Sequence, residues 1–208
     1  MPTMTATELS ALLVLATVSS FTPGPNTTLS TAMAANHGLR HALRFVCAVP
    51  VGWGLLFTLC ATGLGSLVVT WPPLRWGIVV LGNSCLLWLA SRLWQSGSLQ
   101  QADSTRLNVG FWQGVGLQFL NIKAWMLALA IVAGWIAGHE DASERTWLLL
   151  PIMVAYGFVS NLTYALVGSM LRHWLAHGHR LLVFNRCMAG ALLVTVGWIV
   201  SGLNPSAA

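Results

Sequence analysis

Charge is what this sequence has least of. Only 7% of its 208 residues are Asp, Glu, Lys or Arg, while 56% are hydrophobic. A soluble domain carries roughly a quarter of its residues as charges to present a hydrated surface, so a water-soluble globule is excluded. Residues 9–39, 45–74, 146–171 and 187–208 contain no charged side chain at all. About 20 apolar residues cross a bilayer as a helix, and stretches of this kind read as spans. Cysteine is sparse as well. Cys47, Cys60, Cys85 and Cys187 are far apart, with no CxxC and no Cys/His ligand spacing, which argues against a disulfide frame or a metal centre. No basic run with interleaved aromatics exists, so the net charge of +5 does not point to nucleic acid. Nor is there a glycine-rich phosphate loop, an HExxH, a nucleophile elbow or a pair of acids within an apolar run. The chain reads as neither an enzyme nor a cofactor carrier. Its first apolar segment lacks a basic n-region and a cleavage site, and is expected to remain as a span rather than be removed as a signal peptide.

What is present is a series of apolar runs separated by breakers. They predict an all-α integral membrane protein with six transmembrane helices, at about 9–35, 45–69, 74–94, 111–137, 147–170 and 181–203. The polar stretch Gln95–Asn108 reads as a loop dividing one transporter domain into half-repeats, about 1–94 and 109–208. Arg40, Arg44, Arg92, Arg106, Arg172, Arg180 and Arg186 fall on one side of this topology, and only Arg75 and Arg145 on the other. The positive-inside rule makes the first group cytoplasmic and places both termini outside. Trp71, Trp94, Trp112 and Trp147 lie near span ends, where indoles anchor in headgroups. Two halves of three spans must have opposite orientations, which is the geometry of a 3+3 inverted repeat. Gly82 and Gly190 occupy comparable places in spans three and six.

Two segments carry the chemistry. In span one, Phe21-Thr22-Pro23-Gly24-Pro25-Asn26 sets two prolines around a glycine, which predicts a broken helix. Pro23 lies roughly 21 Å from Leu9 at 1.5 Å per residue, near the midplane of a ~30 Å core. Non-helical backbone at that depth survives only beside protein or an aqueous cavity. A helix restarting after Pro25 aims its N–H groups and positive dipole end at the break, where a carboxylate is welcome. A plain proline kink capped by hydroxyls is the competing reading; Thr22, Asn26, Thr27 and Thr28 favour a cavity. In span four, Gln118-Phe119-Leu120-Asn121-Ile122-Lys123-Ala124 places an ammonium roughly 18 Å from Phe111. A mid-span lysine costs some 2.5 kcal/mol or more unless water or a partner meets it, and no span interior supplies an acid. Its partner is a substrate carboxylate, a carbonyl at the break, or water. The two segments sit at similar depth in opposite halves, which predicts one shared site.

Other polar residues read more blandly. Asn83, Asn161 and Asn185 are expected to be interhelical hydrogen-bonding groups, and Arg186 to snorkel to the headgroups. Gly110-xxx-Gly114 and Gly134-xxx-Gly138 match a close-packing pattern that chance also produces. His173, His177 and His179, flanked by Arg172 and Arg180, have no thiolate or carboxylate beside them and read as a solvated face.

At these residues the chain resembles the lysine-exporter (LysE) superfamily of bacterial amino-acid exporters over nearly its whole length. The resemblance rests on the Pro-Gly-Pro break at Pro23–Pro25, the following Gly38, Gly110-Phe111, Gln118 and Asn121-Ile122-Lys123. The family usually has Asn-Pro-Lys in span four, and Ile122 in the proline's place weakens the expectation of a second broken helix. Thr22–Asn26, His37-Gly38 and Leu117–Lys123 are most similar to the cysteine/O-acetylserine branch. The resemblance implies proton-coupled efflux of a small neutral amino acid through a multi-pass protein of the bacterial inner membrane. From the residues themselves, Pro23, Gly24, Pro25 and Asn26 are expected to shape the substrate site and Asn121 and Lys123 to bind an α-carboxylate, with Thr22 and Gln118 completing the substrate-binding set. A neutral substrate also follows from the residues themselves, since a cationic side chain at the midplane would need a carboxylate. Homoserine/threonine or leucine-type substrates stay open as alternatives, as does a non-transporting membrane scaffold. Glu8 lies too near the outer surface to carry a coupling proton convincingly.

Overall fold

The computed structural model describes residues 4–96 and 109–201. Helix α1 (Ala6–Phe21) starts in a capping box, where the Thr5 N–H donates to Glu8 Oε2 at 2.7 Å and the Glu8 N–H to Thr5 Oγ1 at 3.2 Å. It stops before Pro23. Helix α2 (Pro25–His37) restarts with proline at its first position and ends at Gly38, whose φ of +86° favours glycine. Then follow α3 (Leu39–Ala61), a short α4 (Gly65–Thr70), α5 (Pro72–Gln95), α6 (Phe111–Leu120), α7 (Ile122–Ile131) with a π turn over Val132–Ile136, α8 (Ala142–Leu175) and α9 (Arg180–Ser201).

Four helices, α3, α5, α8 and α9, are long and apolar enough to cross a membrane. Two bent pairs qualify together: α1–α2, bent by 47°, and α6–α7 with its π turn, bent by 68°. Counting each pair as one gives six spans. Span two differs from its expected limits of 45–69. Its helix starts directly after Gly38 and ends at Ala61, because Gly63 at φ +89° turns the chain. Helix α8 exceeds 147–170 at both ends; its 34 residues extend roughly 50 Å by helical rise. Gln95 and Ser96 end α5, and the rest of the expected 95–108 loop lies outside the described residues, as does the C-terminus beyond 201.

The largest correction concerns span four, which breaks without its proline. Asn121 adopts extended backbone (φ −90°, ψ 101°) between α6 and α7. Side chains replace what proline would impose. The Phe119 carbonyl, freed by the break, accepts from Trp125 Nε1 at 2.8 Å. Gly82 presses on the Leu120 carbonyl so closely that a Cβ there would overlap it. The first break is held in the same way: Tyr164 donates its hydroxyl to the Phe21 carbonyl at 2.8 Å, and Lys123 Nζ donates to the Thr22 carbonyl at 2.9 Å. Freed carbonyls at membrane depth need such donors.

Helix α2 is the centre of the bundle. It is buried along nearly its whole length and packs on α8, α3 and α9. Three of its polar residues each meet a different span. Asn26 exchanges hydrogen bonds with Gln118, Ser30 donates to Asn161 Oδ1 at 3.0 Å, and Asn36 exchanges bonds with Asn185. Asn185 and Asn161 thus bridge helices as expected, whereas Asn83 Oδ1 is buried with no hydrogen-bond partner. Span one packs on α8 and span four on α3, while α3 meets α8 and α5 meets α9. This pattern maps onto itself when spans one to three are exchanged with four to six, as an inverted repeat requires. Gly82 and Gly190 are not packing counterparts, for Gly190 has open space around it. The better pair is Gly52 against the Val115 backbone and Gly168 against that of Thr31. In each case the middle span of one half takes the broken span of the other at backbone contact. Gly114 packs tightly on Ala48, but Gly134 meets nothing.

The outer surface is apolar, with Val14, Val18, Leu81, Met170 and Val194 all exposed, which suits a hydrocarbon solvent. Arg92, Arg180 and Arg186 lie over the rings of Trp88, Trp174 and Trp94 at 5.2, 4.7 and 5.3 Å, an arrangement fitted to headgroups. His177, in the turn after α8, has its Nδ1 turned to the carbonyl of His173 in the last turn of that helix. At the opposite end, Arg145 bonds Glu8 at 3.1 Å, Asp141 at 2.9 Å and the Trp135 carbonyl at 3.2 Å. Trp135 Nε1 returns to the Glu8 carbonyl at 3.0 Å. Arg145→Ala should lower the melting temperature in detergent, because two carboxylates then face each other without a cation. Arg145→Lys should recover only part of the loss, lacking the guanidinium's fork. An unchanged melting curve for Arg145→Ala would mean that the cluster does not hold these ends together.

Candidate functional site

Between the two breaks lies a cavity of about 80 Å³. One wall is the end of α1, with Ser19, Ser20 and Thr22; the floor is Gly24–Thr27; the opposite side is Asn121, Lys123 and Leu127. Helix α3 contributes Val49 and Trp53, and α8 contributes Met153, Gly157, Ser160 and Asn161. A cavity needs about 10–15 Å³ to admit one water, so this one has room for more than one.

The geometry follows from local chain chemistry. Pro25 has no N–H, and the first helical N–H of α2 to return is that of Thr28, bonded to the Gly24 carbonyl at 2.9 Å. Thr27 Oγ1 accepts from the Gly24 N–H at 2.9 Å and donates to its carbonyl at 3.0 Å, fixing the turn. Across the cavity, α7 restarts the same way, with the Ala124 and Trp125 N–H groups returning to the Asn121 carbonyl at 2.9 and 3.2 Å. Two helix N-termini therefore lie beside one cavity, and each presents the positive end of its dipole. Lys123 stands in the first turn of α7 and adds a full charge. Its path to Thr22 runs close against Gly24, where an added Cβ would come within 3.3 Å of Lys123 Cδ and Nζ and crowd the stem. The backbone of Gly24 is extended (φ −170°), so it is the nearness of the lysine, not conformation, that asks for glycine.

Among the described residues no carboxylate lines the cavity. Its positive elements can hold an anion such as an α-carboxylate. The hydroxyls of Ser19, Ser20 and Ser160 and the Asn161 amide can accept from an ammonium. Among the described residues no three His, Cys, Asp or Glu come together as metal ligands.

Six of the eight expected residues meet here: Thr22, Gly24, Pro25, Asn26, Asn121 and Lys123. Of the three partners open to Lys123, the structure shows its Nζ on the carbonyl at the break. Pro23 shapes the break but does not line the cavity. Gln118 is fully buried behind it, its amide bonded to Asn26 (2.8 and 3.2 Å) and to the Gly114 carbonyl (3.1 Å). Sequence reasoning missed Trp53, Ser19, Ser20 and Ser160, and saw Asn161 only as a helix bridge. Ser160-Asn161 within an otherwise apolar run was the available signal. Trp53 gave none, since eleven tryptophans hide the one whose indole N–H is buried without a partner.

Comparison with known proteins agrees with this architecture. A cysteine/O-acetylserine efflux protein of Klebsiella pneumoniae subsp. pneumoniae is 32% identical over 196 residues, covering 92% of this chain and 95% of the relative. Proteins of the same name from Salmonella choleraesuis and Escherichia coli O1:K1 are 28% and 26% identical, over 84% and 81% of this chain and 89% and 86% of their own lengths. No solved structure matches. The family described as LysE type translocator matches residues 17–201. With a family of translocators matching most of its length and relatives named as efflux proteins, the chain is a transporter rather than an enzyme, and it belongs to the LysE type translocators.

Proposed function

We propose that this protein exports a small neutral amino acid of the cysteine/O-acetylserine type across the bacterial inner membrane, with the proton gradient as its driving force. The observation that carries the reading is the Lys123 ammonium on the Thr22 carbonyl, at the meeting of two broken helices beside a polar cavity. A backbone carbonyl is a weak partner for an ammonium in low dielectric, and a carboxylate is a stronger one. The α-carboxylate displaces Thr22 on Lys123 and takes donors from the start of α2 and α7. The α-ammonium turns to the hydroxyls and Asn161 on the far wall. A cationic side chain has no counter-charge in the cavity, which supports a neutral substrate. The names of the relatives favour cysteine and O-acetylserine over homoserine, threonine or leucine. The half-repeats 1–94 and 109–208 move against each other around this site, with both termini on the periplasmic side. No carboxylate in the cavity carries the coupling proton, and Glu8 is already bonded to Arg145.

Proteoliposomes with an imposed pH gradient test the reading. Labelled cysteine and O-acetylserine should be moved faster than threonine, leucine or lysine, and the rate should collapse when a protonophore removes the gradient. Equal rates for lysine would refute the neutral-substrate assignment. A rate indifferent to the gradient would refute proton coupling alone.

A further inference from the structure

A second, smaller cavity of about 20 Å³ lies between α2, α5 and α6, lined by Leu29, Leu86, Leu89, Leu117 and Leu120. It shares Pro25, Asn26 and Asn121 with the larger one. The two cavities therefore meet at the breaks, and chain direction puts them on opposite sides. Spans one and four are antiparallel, so α1 and α7 share one half of the membrane and α2 and α6 the other. The bond from Trp135 Nε1 to the Glu8 carbonyl places the start of α1 and the end of span four at one face. Beyond the residues they share, the larger cavity is lined by α1 and α7 with Gly24, Thr27, α3 and α8, and the smaller by α2, α5 and α6.

At their junction Asn26, which lines both cavities, is bonded to the buried Gln118, with Nδ2 to Oε1 at 2.8 Å and Nε2 to Oδ1 at 3.2 Å. Each amide gives one donor and one acceptor to the other. A zwitterion also carries both, an accepting carboxylate and a donating ammonium, and can take the place of either amide without leaving a buried group unpaired. An ion of one sign only cannot. The leucines give the smaller cavity an apolar lining beside Asn26.

We propose that the smaller cavity is the opposite-side vestibule of one transport route, closed in this structure, and that Asn26–Gln118 is the gate a zwitterionic amino acid opens by exchanging bonds with it. This rests on the exporter reading. It adds to that reading where the route runs, and it gives Gln118 a role at the gate instead of in the binding cavity.

The test uses the full-length protein with its four cysteines replaced by serine, carrying either Ser20→Cys in the larger cavity or Leu86→Cys in the smaller. A membrane-impermeant maleimide is applied from each side of sealed vesicles, with and without O-acetylserine, which has no thiol to consume the reagent. The two positions should label from opposite sides, and substrate should change their rates in opposite senses. Labelling from the same side, or rates that do not diverge with substrate, overturns the proposal. A second measurement keeps the native cysteines. Gln118→Leu should lower efflux by about tenfold or more, the scale of one lost hydrogen bond to a charged group, while O-acetylserine still raises the melting temperature of the purified variant as it does for the wild type. Wild-type efflux from Gln118→Leu also overturns the gate. Wild-type efflux from Lys123→Ala would instead fault the binding site, leaving opposite-side labelling as evidence for the route.

Discussion

Lys123→Ala should reduce efflux by roughly a hundredfold or more while the protein still inserts and folds. Truncating one member of a buried, hydrogen-bonded charge pair costs about 2–5 kcal/mol of binding, and the substrate carboxylate would lose its only full countercharge. Folding loses much less. Among the described residues Lys123 makes one hydrogen bond, to the Thr22 carbonyl, a net contribution of about 0.5–1.5 kcal/mol. Lys123→Gln retains a donor and removes the charge, and should behave nearly as the alanine variant if charge is what matters. Lys123→Arg should not restore transport, since Gly24 already lies against the lysine stem and leaves little room for a guanidinium. The measurements are export of labelled O-acetylserine and the amount of monodisperse protein recovered from membranes. Export by Lys123→Ala at the wild-type rate would remove the basis for the proposed site.

The second large effect is on folding. Gly168→Val should prevent recovery of folded protein, whereas Gly190→Ala should be harmless or slightly stabilising. A Cβ on Gly168 would overlap the Thr31 carbonyl and lie 3.0 and 3.1 Å from the Thr31 C and Cα. These are backbone atoms of α2, which is packed on all sides and cannot yield. Overpacking a core costs about 1–3 kcal/mol even where side chains can adjust, and here none is available to move. Around Gly190 nothing lies within 4 Å, so alanine there adds helix propensity without a clash. Thermal unfolding in detergent separates the two. Equal melting temperatures would mean that α2 and α8 approach less closely than described.

The helical, membrane-spanning character and the first break were legible in the residues. Apolar runs without charge have no alternative to a bilayer, and Pro-Gly-Pro removes backbone donors whatever surrounds it. Six of the eight residues expected at the site meet there for the same reason: a break and a lone ammonium at mid-depth both need a polar setting. The second break was not legible. Ile122 permits a helix, and what opens the chain at Asn121 is distributed over Gly82 on another span and Trp125 further along. Helix limits at Ala61 and Ala142 were missed because hydropathy reports what lipid tolerates, not where a glycine turns the chain.

Sequence by itself determined the solvent, the number of crossings once bent pairs are joined, and which residues could not lie against lipid. These depend on composition and on local covalent constraints, which act over a few residues. Only the tertiary structure decided that Lys123 takes the Thr22 carbonyl, that Gln118 faces Asn26 and not the cavity, and that Trp53 and Asn161 form its far wall. These pairings join residues about a hundred positions apart. They arise from the close approach of backbones at Gly52 and Gly168, which no local pattern encodes.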